Sequence, residues 1–204
     1  MYLIRHGATT ANLASPPRLQ GRRSDPPLSD VGRRQAEATR DALRDQPLAA
    51  CYCSPLRRAA ETAQVLAEGR GWPPVPLAGL TECDVGAWEG LDWDTIRSTY
   101  PEPFRRFSQD PGRFPYLGGE SHEAVRARVE PVFRELLASD AGTAFAVVTH
   151  QVVIRVYLSV LLGIELAAAR SISTTNCGIT ELVADAGGVR VITRDATAHL
   201  ERLA

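Results

Sequence analysis

The chain has 204 residues, of which 44% are hydrophobic and 23% charged, values typical of a globular protein and not of a disordered or fibrous one. Its 23 basic and 24 acidic side chains nearly cancel, which argues against a nucleic-acid-binding domain because such domains are usually basic. All 23 basic residues are arginines, so chemistry that depends on a lysine Schiff base or a phosphate-loop lysine is excluded.

The N-terminal sequence and the cysteines bear on where the protein works. The opening Met-Tyr-Leu-Ile-Arg-His has no basic region followed by an apolar stretch, so we expect no secretory signal. The apolar runs are too short to span a bilayer. The four cysteines are spaced for neither a zinc site nor a redox motif, and we expect buried free thiols. These features predict a cytoplasmic protein that binds neither nucleic acid nor membrane.

Short apolar runs alternate with helical patterns along the first half of the chain. Residues 2–4 are predicted to form a buried strand, and a helix begins after Ser29, which suits the N-cap position. A second strand is predicted at residues 49–53. Ser54 followed by Pro55 is typical of an N-cap with proline at the first helical position, so we expect a second helix to begin there.

The second half opens with the least regular stretch of the chain, residues 92–119, which is rich in aromatic residues and proline. We predict one or two short helices and a loop folded over the sheet, as an inserted segment that covers the substrate. The remaining pattern predicts a helix from Glu120, a strand at 144–148, a buried helix at 151–162 ended by Gly163, and short strands at 172–174, 179–183 and 189–193. We expect a single domain over residues 1–204 and, if the protein oligomerises, a homodimer.

The alternation of strands and helices predicts an α/β fold with three layers, α/β/α, and a mostly parallel central sheet with an antiparallel end. In such sheets, ligands bind beyond the carboxyl ends of the strands. That edge would bring together side chains that follow three different strands. They are Arg5 and His6, Arg57, and His150.

These residue types suit phosphate chemistry. The planar guanidinium of arginine can hold a phosphate through two hydrogen bonds, and histidine can attack phosphorus or donate a hydrogen bond to it. No metal-binding motif is present in the sequence. We therefore expect a site that works without a metal or a cofactor.

Six motifs follow one another along nearly the whole chain. They are Arg5-His6-Gly7 with Asn12, Gln20-Gly21-Arg22, Ser54-Pro55-Leu56-Arg57-Arg58, Leu80-Thr81-Glu82, Gly118-Gly119-Glu120-Ser121, and Val147-Val148-Thr149-His150. Together they resemble the histidine phosphatase superfamily, whose fold is phosphoglycerate-mutase-like, and its phosphatase branch in particular. An Arg-His-Gly triplet alone is weak evidence, whereas six motifs in order are specific.

The resemblance implies a role for each catalytic residue. His6 would be the nucleophile that forms a phosphohistidine. Arg5, Arg57 and His150 would surround the oxygens of the phosphoryl group. Glu82 would protonate the leaving alkoxide as a general acid and then activate water as a base.

The resemblance also implies a set of binding residues and leaves one choice open. Asp84 and Glu89 lie close to Glu82 in sequence and could serve as the acid instead. The residues that would bind phosphate or substrate are Asn12, Gln20, Gly21 and Gln151. Gln151 stands where many relatives have glycine, so its side chain would narrow the site.

Three functions fit these motifs. The first is a phosphomonoesterase that hydrolyses a small phosphorylated metabolite. The second is a phosphoglycerate mutase, and the third is a non-catalytic protein that binds phosphorylated ligands. Mutases of the family typically carry a tyrosine-glycine segment that leads into an asparagine-lysine pair where this chain has residues 85–92, and this chain has no lysine. The missing lysine argues against the mutase. All the expected chemical groups are present, which argues against the non-catalytic binder, so we favour the hydrolase.

Overall fold

The computed structural model describes residues 1–140 and 142–203. Within these residues there are six strands: β1 (Tyr2–Arg5), β2 (Leu48–Cys53), β3 (Val75–Pro76), β4 (Ala144–Thr149), β5 (Ile179–Asp185) and β6 (Gly188–Ala196). They form one sheet in the order β3-β2-β4-β1-β5-β6. Strands β1 to β4 are parallel, and β5 and β6 add an antiparallel edge. The predicted sheet is confirmed.

Helices cover both faces of this sheet. The described residues form α1 (Thr10–Leu13), α2 (Asp30–Ala42), α3 (Arg57–Ala67), α4 (Trp93–Thr99), α5 (Pro101–Gln109), α6 (His122–Ser139) and α7 (Gln151–Leu162). Successive side chains of a strand point to opposite faces, so Ile4 shares a core cluster with Ala59 of α3. Leu3 belongs to the cluster on the other face, with Val129 of α6 and Val153 of α7. The predicted three layers are confirmed.

The helix ends show where local sequence decides the structure. Ser29 Oγ accepts a hydrogen bond from Gly32 N at 3.0 Å, so the predicted N-cap of α2 is confirmed. Gly163 ends α7 with a φ of 64°, a left-handed conformation that glycine adopts without strain. The predicted start at Ser54 is wrong, because α3 begins at Arg57 and the Ser54 hydroxyl instead contacts a histidine described below.

The predicted strand at residues 172–174 is also wrong. These residues form an irregular loop whose carbonyl groups bond to arginine side chains and not to a neighbouring strand. Ile172 O accepts from Arg155 Nε at 2.9 Å, and Thr174 O accepts from Arg5 Nη1 at 2.7 Å. Tertiary hydrogen bonds therefore override the β-propensity of the segment.

The aromatic segment forms the two short helices expected of it, α4 and α5, and joins the main core. Trp88 is fully buried, and its ring lies 5.2 Å from that of Phe107 and 5.7 Å from that of Tyr116. Trp93 at the start of α4 packs edge-on against Trp88. This cluster fixes the segment beside the sheet edge where the parallel strands end. Among the described residues, no helix is both long and apolar enough to cross a membrane.

Candidate active site

A cavity of about 460 Å³ opens at the carboxyl ends of β1 and β4. Arg5, the last residue of β1, and His6 form one part of its wall. Gln151 and Val152 form another part, at the start of α7, which directly follows β4. The cavity thus lies at the sheet edge where the sequence places a ligand.

His6 is 3% exposed, and its ring is held by the backbone of the next residue, Gly7. Nδ1 lies 2.7 Å from the carbonyl oxygen of Gly7, which can only accept, so Nδ1 carries the proton and donates it. Nε2 is then unprotonated and accepts a hydrogen bond from Arg58 Nε at 3.3 Å. Burial, followed by the charges of Arg58 and Arg5, lowers the pKa of His6 well below its ordinary value. The ring is a neutral imidazole.

The structure places Arg58, and not Arg57, at this histidine. Arg57 begins α3, and its Nε pairs with Glu61 at 2.7 Å on the surface. Arg58 is wholly buried, and its terminal nitrogens donate to the carbonyl oxygens of Ser24 and Gly21 at 3.1 and 2.9 Å. One helical position rotates a side chain by about 100°, so neighbours face different surroundings. The sequence assignment of Arg57 to the site is corrected to Arg58.

His150 lies beside His6, with ring centroids 5.1 Å apart. Its Nε2 is 2.7 Å from Ser54 Oγ, and Ser54 Oγ accepts a hydrogen bond from Leu56 N at 3.2 Å. The Nδ1 atom is buried and has no hydrogen-bond partner within the described residues. Burial is the main cause that lowers the pKa of His150, and the charge of Arg58 adds to it. Burial therefore favours the uncharged form of His150, which holds one unused polar atom.

Arg5 is anchored by the loop at residues 172–178. Its Nη1 donates to Thr174 O at 2.7 Å, and its buried Nε has no partner in the described part of the chain. Burial lowers the pKa of Arg5 to about 10, which still leaves the guanidinium charged at neutral pH. The same loop holds the backbone of His6, because Asn176 Nδ2 donates to His6 O at 2.8 Å. One loop thus positions both residues.

Asp195, near the end of β6, fixes that loop in turn. Its carboxylate accepts hydrogen bonds from Ser173 Oγ at 2.6 Å, from Thr175 N at 2.7 Å and from Thr175 Oγ1 at 2.9 Å. The backbone φ of Asp195 is 46°, a left-handed conformation that is unfavourable for a residue other than glycine. Asp195 N also donates to Thr180 Oγ1 at 3.1 Å, so the residue is held by both its side chain and its backbone.

Glu82 is 3% exposed and lines the cavity. Its Oε1 accepts from Cys83 N at 2.8 Å, and its Oε2 accepts from Val152 N at 3.3 Å. Burial raises the pKa of Glu82 even though both hydrogen bonds favour the carboxylate. A carboxyl group with a raised pKa is suited to hold a proton and to release it.

The two alternative carboxylates are committed to other contacts. Asp84 forms ion pairs with Arg22 at 3.4 Å and Arg23 at 2.8 Å, and arginine hydrogen bonding lowers its pKa against the effect of burial. Glu89 accepts from the backbone of Gly21 and, at 2.6 Å, from the hydroxyl of Ser24. Neither residue lines the cavity. The geometry favours Glu82 as the acid.

Three of the four predicted binding residues line the cavity: Asn12, Gln20 and Gln151. Asn12 Oδ1 accepts from Thr9 N at 3.0 Å, and Gln20 Oε1 accepts from Thr9 Oγ1 at 2.7 Å. Gln151 Nε2 donates to Thr174 Oγ1 at 3.3 Å. Each amide group is thus held by a neighbouring hydroxyl or backbone group while it faces the cavity.

Gly21 lies behind the cavity wall. Its N–H donates to Glu89 Oε1 at 2.7 Å, and its carbonyl oxygen accepts from Arg58. A Cβ at this position would lie 2.6 Å from the carbonyl oxygen of Cys83, so only glycine fits. Gly21 therefore holds Arg58 in place, and its N–H is already used.

Several residues of the cavity were missed by sequence reasoning: Arg18, Tyr116, His122, Arg155, Arg170 and Asn176. Arg155 could have been found, because it follows Gln151 by four positions and shares its helix face. The others come from loops, from the aromatic segment, from a short 3-10 helix at Leu166–Ser171 and, in the case of His122, from the first residue of α6, and the local sequence gives no sign of their direction.

Residues 1–197 match the histidine phosphatase superfamily, branch 1. With the neutral His6, the buried Arg58 and the second histidine at the same sheet edge, the chain belongs to this family. The resemblance seen in the six motifs is confirmed.

Relatives of similar length match nearly the whole chain. Phosphoserine phosphatase 1 of Hydrogenobacter thermophilus is 30% identical over 200 residues, which span 98% of this chain and 93% of the relative. The structure of YhfR from Bacillus stearothermophilus has a TM-score of 0.90 at 31% identity and 98% coverage of both chains. A mycobacterial glucosyl-3-phosphoglycerate phosphatase, solved with VO3, has a TM-score of 0.84 at 30% identity, and the match covers 96% of this chain and 98% of that chain. Two of the three are named phosphatases.

Proposed function

We propose that the protein is a phosphomonoesterase that passes the phosphoryl group of a small metabolite to His6 and then to water. The observation that carries the proposal is the hydrogen bond from His6 Nδ1 to Gly7 O, which leaves the lone pair of Nε2 free to attack phosphorus. In the first step the N–P bond forms and the ester P–O bond breaks. The long contact from Arg58 to Nε2 is exchanged for a contact to the phosphoryl oxygens as the substrate enters.

Arg5, Arg58 and His150 form the clamp for the transferring group. Phosphoryl transfer depends mainly on positioning and on stabilising the charge of the equatorial oxygens. The unpartnered Nε of Arg5 supports this role, since a buried donor without an acceptor is costly. We assign the His150 proton to Nδ1, because Ser54 can accept from Leu56 and donate to Nε2. Nδ1 then also offers an unused N–H to a phosphoryl oxygen.

Glu82 moves the proton in both steps. Its raised pKa favours the protonated form, which gives its proton to the leaving alkoxide oxygen. The resulting carboxylate then takes a proton from water as the water oxygen attacks phosphorus. The N–P bond breaks, inorganic phosphate leaves, and His6 and Glu82 return to their starting states. We assign no cofactor or metal to the reaction.

The substrate is a small phosphorylated metabolite that fits a cavity of about 460 Å³. The segment at residues 92–119 covers the cavity, since Trp93, Asp94 and Tyr116 line it. The names of the phosphoserine and glucosyl-3-phosphoglycerate phosphatases support a phosphate ester of this kind. The four cysteines are buried free thiols, in keeping with work in the cytoplasm, and a homodimer is the assembly to test first.

The test is phosphate release by the purified protein from p-nitrophenyl phosphate and from a panel of metabolite phosphates. We expect turnover by the wild type and none above background by His6→Ala. The mutase alternative is tested in parallel by conversion of 3-phosphoglycerate to 2-phosphoglycerate with a bisphosphate primer. Isomerisation much faster than phosphate release, or full activity of His6→Ala, would contradict the proposal.

A further inference from the structure

The cavity wall contains more arginines than are needed to bind one phosphoryl group. Beyond Arg5 at the clamp, its wall includes Arg18, Arg155 and Arg170. The carboxylates in the same wall are Glu82 and Asp94, and Asp94 is already paired with Arg97. In the described part of the chain, no carboxylate lies within 4 Å of Arg155 or Arg170. Arg18 has none either, so these three guanidinium groups of the wall lack an anionic partner among the described residues, and of these Arg155 and Arg170 are held in place by neighbouring groups.

Arg155 is fixed in a way that leaves one side of its guanidinium for a ligand. Its Nε donates to Ile172 O at 2.9 Å, which orients the guanidinium and leaves its two terminal nitrogens available to a ligand. Arg155 follows Gln151 by one helical turn, so its backbone is about 6 Å further along α7 from the start of the helix. Arg155 therefore lies one helical turn beyond the start of α7, whose N-cap is His150.

Arg170 is held by aromatic rings. Its Cζ lies 4.6 Å from the centroid of Trp93 and 5.9 Å from that of Phe107. Burial lowers the pKa of Arg155, Tyr116 raises it, the charge of Arg170 lowers it, and the charges of Glu82 and Asp195 raise it. Two cations that repel each other in a half-enclosed site are stabilised by a ligand of opposite charge.

We infer that Arg155 and Arg170 form a second anion subsite, which selects phosphomonoesters that carry a carboxylate. The inference rests on the proposed function for the position of the phosphoryl group at His6. A carboxylate has two oxygens in one plane, and the paired terminal nitrogens of Arg155 match this geometry. Arg170 stands at the exposed side of the cavity and adds a second positive charge there.

The test compares substrates that differ only in the carboxylate. 3-Phosphoglycerate is paired with glycerol 3-phosphate, and phosphoserine with phosphoethanolamine. We expect the wild type to have the higher kcat/KM for the carboxylate in each pair. The preference is the kcat/KM for the carboxylate substrate divided by that for its partner without the carboxylate. Arg155→Gln and Arg170→Gln should each lower this ratio by about tenfold, the effect of losing one charge-assisted hydrogen bond. Arg134→Gln, an exposed arginine of α6 outside the cavity, should leave the ratio unchanged.

Binding to His6→Ala separates this inference from the proposed function. Calorimetry should show tighter binding of 3-phosphoglycerate than of glycerol 3-phosphate, and Arg155→Gln in the same background should abolish the difference. Equal affinities, or a preference that survives both arginine substitutions, would overturn the subsite even if phosphatase activity is present. Failure of the wild type to hydrolyse any ester would overturn the proposed function while the binding preference still decides the subsite.

Discussion

Arg58 Nε donates a hydrogen bond to His6 Nε2 at 3.3 Å, from a side chain that is wholly buried. The residue before it, Arg57, is a surface arginine in an ion pair with Glu61. Two adjacent residues of the same type therefore have opposite surroundings. They provide a matched pair for testing the clamp.

We expect Arg58→Ala to lower kcat/KM by about 10²- to 10³-fold, the usual effect of removing one donor to a developing charge. Arg57→Ala should stay within about twofold of the wild type, because an exposed ion pair contributes little. Steady-state kinetics on one phosphate ester, with circular dichroism to confirm folding, provide the comparison. Equal losses in the two variants would contradict the placement of Arg58.

Glu82→Gln should lower the rate most for esters with poor leaving groups. A protonated acid is needed when an alkoxide departs, and much less when a stabilised nitrophenolate does. The measurement is kcat for an alkyl phosphate and for p-nitrophenyl phosphate with each variant. Asp84→Asn is the matched control, since Asp84 is paired with Arg22 and Arg23 outside the cavity. A leaving-group dependence in Asp84→Asn but not in Glu82→Gln would reassign the acid.

Asp195→Ala should impair the site from a distance. The carboxylate holds the loop that contacts Arg5 and His6, so its loss frees Thr174 and Asn176 to move. We expect weaker inhibition by vanadate and a fall in kcat/KM of about tenfold, the loss of roughly one charge-assisted hydrogen bond.

The control for this change lies in the same hairpin. Asp185→Ala removes a carboxylate that pairs with Arg190 on the exposed side of the sheet. It should alter neither vanadate inhibition nor kcat/KM. If Asp195→Ala lowers only the melting temperature and leaves vanadate inhibition intact, Asp195 has a structural role alone.

The sequence predicted what depends on short-range pattern and on strand ends. Arg5, His6 and His150 follow apolar strands, so their meeting at one sheet edge could be deduced. The choice between Arg57 and Arg58 depended on the start of α3, which lies two residues later than the Ser54 cap suggested. Ser54 was misread because its hydroxyl bonds to a residue 96 positions away. Such tertiary contacts leave no local signal.

The same reasoning explains why the loop that holds Arg5 was mistaken for a strand. Residues 172–174 have β-propensity, but their carbonyl groups bond to Arg155 and Arg5. The carboxylate that accepts hydrogen bonds from this loop belongs to Asp195 in β6, about twenty positions further along. Only the folded chain brings these three parts together.

His122 should make the free energy of unfolding depend on pH. Burial lowers its pKa from 6.5 to about 4, so the unfolded chain binds the proton first as the pH falls. The stability that this difference in pKa contributes is fully present above pH 6.5 and is lost progressively as the pH falls toward 4. Between pH 7 and pH 5 the loss from this one residue is about 2 kcal/mol.

Urea unfolding of the wild type and of His122→Phe at both pH values tests this. The other buried histidines contribute equally to both proteins, so they cancel in the difference. We expect the wild type to lose about 2 kcal/mol more than the variant on going from pH 7 to pH 5. Parallel pH dependences for the two proteins would show that His122 titrates normally in the fold.

His6 Nε2 is the atom proposed to accept the phosphoryl group. The most direct measurement is rapid alkaline quenching of the enzyme during turnover of a phosphorus-labelled ester, followed by mass spectrometry of its peptides. The label should be acid-labile, bound to the peptide that contains His6, and missing from His6→Ala. Label on another residue, or turnover by the wild type without any bound phosphate together with an active His6→Ala, would contradict the account.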